Sequence, residues 1–128
     1  MQEKNKHIKC LGVGDHTGYI FNEHGIDINI LREFCGNGHK LSDYTNFDNN
    51  SNLISFEEFY KIPADIYVPA ALEDQITKEN AHDLQCKLII EAANGPVTVN
   101  AENICYDKGI HIIPDILANS GGVLVSYY

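Results

Sequence analysis

Positive charge is scarce in this sequence: nine lysines and arginines stand against eighteen aspartates and glutamates, a formal net charge of -9 over 128 residues. A nucleic-acid partner requires a basic face to neutralise phosphates, and no basic cluster exists here, so that class is excluded. Long apolar runs are also missing. The longest, such as Ile110 to Pro114, fall far short of the roughly 20 residues that a membrane-spanning helix needs. Residues 1–10 lack the apolar stretch of a signal peptide, so a cytosolic location is expected, with a mitochondrial matrix location left open should a leader precede them. Cysteine is sparse and scattered: Cys10, Cys35, Cys86 and Cys105 contain no C-x-x-C pair, each sits among apolar neighbours, and all four are expected as buried free thiols rather than a disulfide or thiolate metal site. The six histidines lack the i, i+4 spacing with a carboxylate that a helical zinc site uses, so no metal is expected. There is no internal repeat.

What is present is 44% hydrophobic content in a length typical of one domain or part of one. His7 to Val13 reads as a strand stopped by the turn formers Gly14 to Gly18, and Tyr19 to Gly25 reads as a loop without a helical face. Asp27 precedes a helix in which Ile28, Leu31 and Phe34 share one face, closed by Gly36 and Gly38. Ser42 to Asn52, rich in Asn, Asp and Ser, predicts an exposed loop. Ser55 and Glu58 fit a capping box that starts a short helix toward Tyr60. From residue 64 the chain alternates. Residues 64–68 predict a strand, Thr77 to Gln85 a helix and 87–90 a strand. A helix after Thr98 then runs to near Gly109, and Ile110 to Ile113 form a last strand closed by Pro114. Short apolar strands separated by helices predict an α/β fold with a mainly parallel sheet and right-handed crossovers.

Gly12, Gly14 and Gly18 invite comparison with the glycine-rich turn that cradles a pyrophosphate at a helix N-terminus. Such a turn must open directly into a helix, and the residues after Gly18 do not form one. The alternative is the end of the second strand of a dinucleotide-binding fold. There an acidic residue, Asp15, would accept the hydroxyls of an adenosine ribose and favour NAD over NADP, whose extra phosphate it repels. An aspartate that merely caps its own turn carries the same signature. His16 follows Asp15 and would touch the adenosine edge.

Three blocks carry a resemblance to a known family. Ala64-Asp-Ile-Tyr-Val-Pro-Ala-Ala-Leu72, Glu91-Ala-Ala-Asn-Gly-Pro-Val-Thr98 and Pro114-Asp-Ile-Leu-Ala-Asn-Ser-Gly-Gly-Val-Leu-Val-Ser-Tyr127 resemble, in order and at matching spacing, blocks of the glutamate dehydrogenases. Ala92 and Ser120 depart from that family's pattern, which has Gly and Ala there. Gly12 to Gly18 and Asn22 to Asp27 are similar to its second strand and following turn. The resemblance implies a partial Rossmann-like, doubly wound NAD(P)-binding domain over residues 1–128, without its first strand and glycine-rich turn. It also places Asp15 at the adenosine ribose.

The small residues Ala70 and Ala71, at a strand's carboxyl end, would let a planar ring lie against the backbone. Asn94 has both donor and acceptor for the nicotinamide half. The resemblance implies that Asn119 contacts nicotinamide and substrate, and that Ser126 hydrogen-bonds the side-chain carboxylate of glutamate. Ser126 lies seven residues beyond Asn119, so a helix there would put both on roughly the same face.

The activity implied is NAD-linked conversion of glutamate to 2-oxoglutarate and ammonia, with NADP left open, in a homo-oligomeric parent enzyme. The rival branch, leucine and phenylalanine dehydrogenases, carries different residues at Pro69-Ala70-Ala71, at Asn94-Gly95-Pro96 and at Ser126. The family's catalytic lysines and aspartate belong to a separate N-terminal domain. No catalytic residue is therefore expected within residues 1–128, and these residues alone are expected to give no turnover. A gene remnant or a binding subunit without turnover is the alternative from a different class.

Overall fold

The computed structural model describes residues 8–70, 75–92 and 95–114. The chain forms two compact units, Met1–Ile62 and Pro63–Tyr128. Mixed α/β structure occurs in both, but the parallel pairing that the sequence predicts lies in the second.

In the first unit, β1 (Gly12–Asp15) and β2 (Gly18–Phe21) form an antiparallel hairpin around His16 and Thr17, and β3 (Asn52–Ile54) pairs antiparallel with β2. The expected loop from Tyr19 to Gly25 is therefore partly strand, and the first strand begins at Gly12, with residues 8–11 before it outside any strand and His7 outside the described residues. Strand alternation explains the hairpin: Ile20 and its cross-strand partner Val13 turn to one face, Tyr19 to the other. Ile20 is fully buried against Ile26, Leu31, Leu41 and Tyr44. Burying a side chain of that size stabilises by about 1.5–3 kcal/mol.

Helix α1 (Ile28–Gly36) supplies Leu31 and Phe34 to this core. Asp27 caps it, its carboxylate accepting from the amides of Asn29 and Ile30. The predicted loop 42–52 instead contains a 3-10 turn, Leu41–Asp43, and a single helical turn, α2 (Tyr44–Phe47). The physical reason is aromatic. Tyr44 is 2% exposed and meets the Phe34 ring edge-on at 5.3 Å, so a stretch poor in aliphatic residues still anchors in the core.

The opposite face of the hairpin is covered by α3 (Phe56–Tyr60), which starts with the predicted capping box. Ser55 Oγ accepts from the Glu58 amide at 3.1 Å, and Glu58 Oε2 accepts from the Ser55 amide at 2.8 Å. Tyr19 packs against Phe56 and Phe59 at ring separations of 5.4 and 5.0 Å.

The second unit is a parallel sheet of β4 (Ile66–Tyr67), β5 (Leu88–Ile90) and β6 (His111–Ile113), in that order. Ile76 adds a single parallel bridge to Val97. Helix α4 (Val99–Asp107) connects β5 to β6, with Thr98 Oγ1 accepting from the Ala101 amide. It ends on Gly109 at φ +76°. The Gly109 amide donates to the Tyr106 carbonyl and the Ile110 amide to the Cys105 carbonyl, a Schellman arrangement that satisfies the helix's last carbonyls.

The predicted helix from Thr77 to Gln85 shrinks to one 3-10 turn, Ala81–Asp83. Asn80 accounts for this. Its Oδ1 accepts from the Thr77 amide at 2.8 Å and its Nδ2 donates to the Gln75 carbonyl at 3.0 Å, offering the backbone partners that a helix would otherwise supply.

Among the cysteines only Cys105 is buried. Cys10 and Cys86 are half-buried and Cys35 is exposed, because α1 presents its core face through Leu31 and Phe34 and turns position 35 away. All four are free thiols, and desolvation pushes each above the usual thiol range. No helix among the described residues is long and apolar enough to cross a membrane.

Candidate functional site

The glycines near the start of the chain serve packing. A Cβ on Gly14 would overlap the Tyr19 ring at its Cδ1 and Cε1 atoms, and one on Gly12 would stand 2.9 Å from Phe59 Cε2. Both positions lie under the aromatic cluster that α3 lays on the hairpin. The turn after them opens into β2, an antiparallel strand, and not into a helix.

Asp15 is the last residue of β1, and His16 is exposed in the turn beyond it. One oxygen of the Asp15 carboxylate, Oδ1, accepts two hydrogen bonds, from the Thr17 amide at 2.7 Å and the Thr17 hydroxyl at 2.6 Å. Asp15 thus closes its own turn, the simpler of the two arrangements its sequence context allows. Desolvation pushes the Asp15 carboxyl up, but the donors of Thr17, the nearby His16 and the Gly18 amide outweigh it and hold it below the ordinary carboxylate range. The group is an anion at neutral pH. Its charge acts on its neighbours, adding to desolvation in raising the Tyr19 hydroxyl and the Cys35 thiol.

In the second unit the carboxyl ends of the three parallel strands are laced together. The Ala92 amide, just beyond β5, donates to the Pro69 carbonyl beyond β4 at 3.1 Å, and the Glu91 amide donates to the Ile113 carbonyl of β6 at 3.1 Å. Pro69 is fully buried while Ala70 is exposed beside it, and the chain after β5 turns at Gly95 with φ +54°, a left-handed conformation that glycine adopts without strain. This edge is where open parallel sheets bind ligands. Ala71, Asn94, Asn119 and Ser126 lie outside the described residues. Among the described residues, no group of three or more His, Cys, Asp or Glu side chains is placed to hold a metal ion.

Two contributors at the hairpin tip escaped the sequence reading. Thr17 holds Asp15, and the amide of Ser42 in turn donates to Thr17 Oγ1 at 3.3 Å. The Asp-x-Thr spacing was the available signal for the first, since a carboxylate readily accepts from groups two residues on. The second joins residues 25 apart in sequence, which no local pattern reveals.

Comparison with known proteins agrees with the blocks. The sequence profile of the Glutamate/Leucine/Phenylalanine/Valine dehydrogenases matches residues 2–128. The cryptic catabolic NAD-specific glutamate dehydrogenase GudB of Bacillus subtilis is 41% identical over 123 residues, covering 94% of this chain and 27% of the relative. A crystal structure of Plasmodium falciparum glutamate dehydrogenase superposes with a TM-score of 0.81 at 27% identity, covering 94% of this chain and 28% of that one. The hetero-hexameric glutamate dehydrogenase of Thermus thermophilus, in its Leu-bound form, gives 0.75 at 25% identity over 93% of this chain and 27% of that one. The chain thus spans little more than a quarter of the length of the relatives it matches. With nearly all of its residues within that profile, the chain belongs to the Glutamate/Leucine/Phenylalanine/Valine dehydrogenase family.

Proposed function

We propose that these residues are the cofactor-binding part of an NAD-dependent glutamate dehydrogenase, an oxidoreductase that converts glutamate to 2-oxoglutarate and ammonia. The observation that carries the reading is the lacing of β4, β5 and β6 at their carboxyl ends, the edge at which a Rossmann-like, doubly wound sheet receives its ligand. The naming of GudB as NAD-specific supports both cofactor and substrate.

The residues fit the group in two places. In the first unit, Asp15 is an anion whose bonds from Thr17 fall on Oδ1, leaving Oδ2 with acceptor capacity for the hydroxyls of an adenosine ribose, with His16 at the adenosine edge. A fixed negative charge there disfavours the additional phosphate of NADP. In the second unit, the exposed Ala70 beside buried Pro69 leaves room for a flat ring; the family resemblance, and not the described structure, assigns Ala71, Asn94 and Asn119 to the nicotinamide side and Ser126 to the glutamate side chain. The bound cofactor supplies the hydride acceptor. Residues 1–128 contribute binding and orientation but no catalytic acid or base. We read the parent enzyme as a cytoplasmic homo-oligomer; the hetero-hexameric Thermus thermophilus relative supports assembly from several subunits and not the identity of those subunits.

Glutamate is favoured over leucine or phenylalanine by Asn94-Gly95-Pro96 and by Ser126, which offers a hydroxyl to a carboxylate where an apolar side chain would offer no partner. Steady-state kinetics of the full-length parent enzyme test this. Ser126→Ala is expected to lower kcat/KM for glutamate about tenfold or more through loss of a hydrogen bond to a charged group, without lowering NAD affinity. An unchanged kcat/KM would remove Ser126 from the substrate site.

A further inference from the structure

We propose that Thr17 is the positioning residue for Asp15 and thereby sets the preference for an unmodified adenosine ribose. The inference rests on the proposed role of Asp15 at that ribose. Thr17 commits its amide and its hydroxyl proton to the same carboxylate oxygen, at 2.7 and 2.6 Å. Its hydroxyl oxygen accepts from the Ser42 amide at 3.3 Å, so the side chain is held by a second element as well as by the carboxylate.

Ser42 belongs to the Leu41–Asp43 turn, which is anchored by Leu41 in the core under β2. The hydroxyl therefore ties the carboxylate to a buried framework through one rotor. Three effects follow. The carboxylate plane is fixed; its charge is retained, since donors to the anion favour the ionised form; and both Thr17 bonds are kept off Oδ2. A diol meets a prepared acceptor, and a ribose phosphate meets a charge that cannot swing aside.

The alternative is that Thr17 only closes the hairpin turn. Two ligands separate these cases: NAD and its 2′-deoxyadenosine analogue, which lacks one hydroxyl of the ribose diol. Dissociation constants are measured by calorimetry on the intact protein, wild type and Thr17→Val, Thr17→Ser and Asp15→Asn. Wild type is expected to prefer NAD. Thr17→Val, which keeps the shape and the amide but loses the hydroxyl, is expected to weaken NAD about tenfold and to shrink its margin over the deoxy analogue, while Thr17→Ser restores both.

If Thr17→Val weakens both ligands equally, or leaves the margin at the wild-type value, the positioning role is wrong. Asp15→Asn separates this failure from failure of the underlying reading. A margin lost in Asp15→Asn but kept in Thr17→Val overturns only the inference about Thr17. A margin kept in both overturns the ribose role of Asp15 itself.

Discussion

At the scale of single residues, the early glycines and Asp15 carry the most information. Gly14 faces Tyr19 across the hairpin, and the Tyr19 ring is itself packed against Phe56 and Phe59, which restricts where it can move. Gly14→Ala is therefore expected to destabilise the protein by about 1–3 kcal/mol through overpacking, read as a lower unfolding midpoint in denaturant. An unchanged midpoint would show that the ring yields.

Asp15 makes a prediction with a sign. Its folded-state carboxyl is depressed, so the stability it contributes is complete above the ordinary carboxylate range and is lost as pH falls through the folded value. The gap in thermal midpoint between wild type and Asp15→Ala should be open at neutral pH and close on acidification; a gap that widens would reverse the assignment. The anion and its turn were readable in the sequence. The aromatic packing that requires Gly12 and Gly14 was not, because Phe59 lies 47 positions beyond Gly12.

Among the elements, those specified by local hydrogen bonding matched the sequence best. The caps Asp27, Ser55 and Thr98 each start the helix expected of them, because a side-chain acceptor and the amides it serves lie within three residues. Helix α3 has only five residues and depends on its reciprocal cap. Ser55→Ala is expected to cost about 1 kcal/mol, measured by chemical denaturation, and Ser55→Asp should recover most of it.

The misread elements share one cause, competition from partners that hydrophobic pattern does not encode. Asn80 diverts the backbone of 77–85 from a helix, Tyr44 pulls an otherwise polar loop into the core, and β3 exists because β2 offers it an edge. The parallel strands of the second unit were legible because each is a short apolar run next to a clear crossover or turn.

At the scale of the whole molecule, the chain joins an antiparallel hairpin unit that ends in a fixed carboxylate and a parallel unit that ends in a laced row of strand termini. The adenosine-ribose contact proposed above belongs to the first unit and the nicotinamide contacts to the second, and the family profile spans nearly the whole chain. The central claim, that this chain serves a glutamate-specific, NAD-linked enzyme, is tested most directly by turnover of the full-length parent enzyme that contains these residues, since residues 1–128 alone are expected to give none. NAD reduction is followed with glutamate, leucine or phenylalanine as the amino acid, and NADP is tried in place of NAD. The account predicts glutamate-dependent reduction of NAD, with leucine, phenylalanine and NADP each supporting far slower rates. Absence of NAD reduction with glutamate, or a faster rate with leucine or phenylalanine, would contradict it.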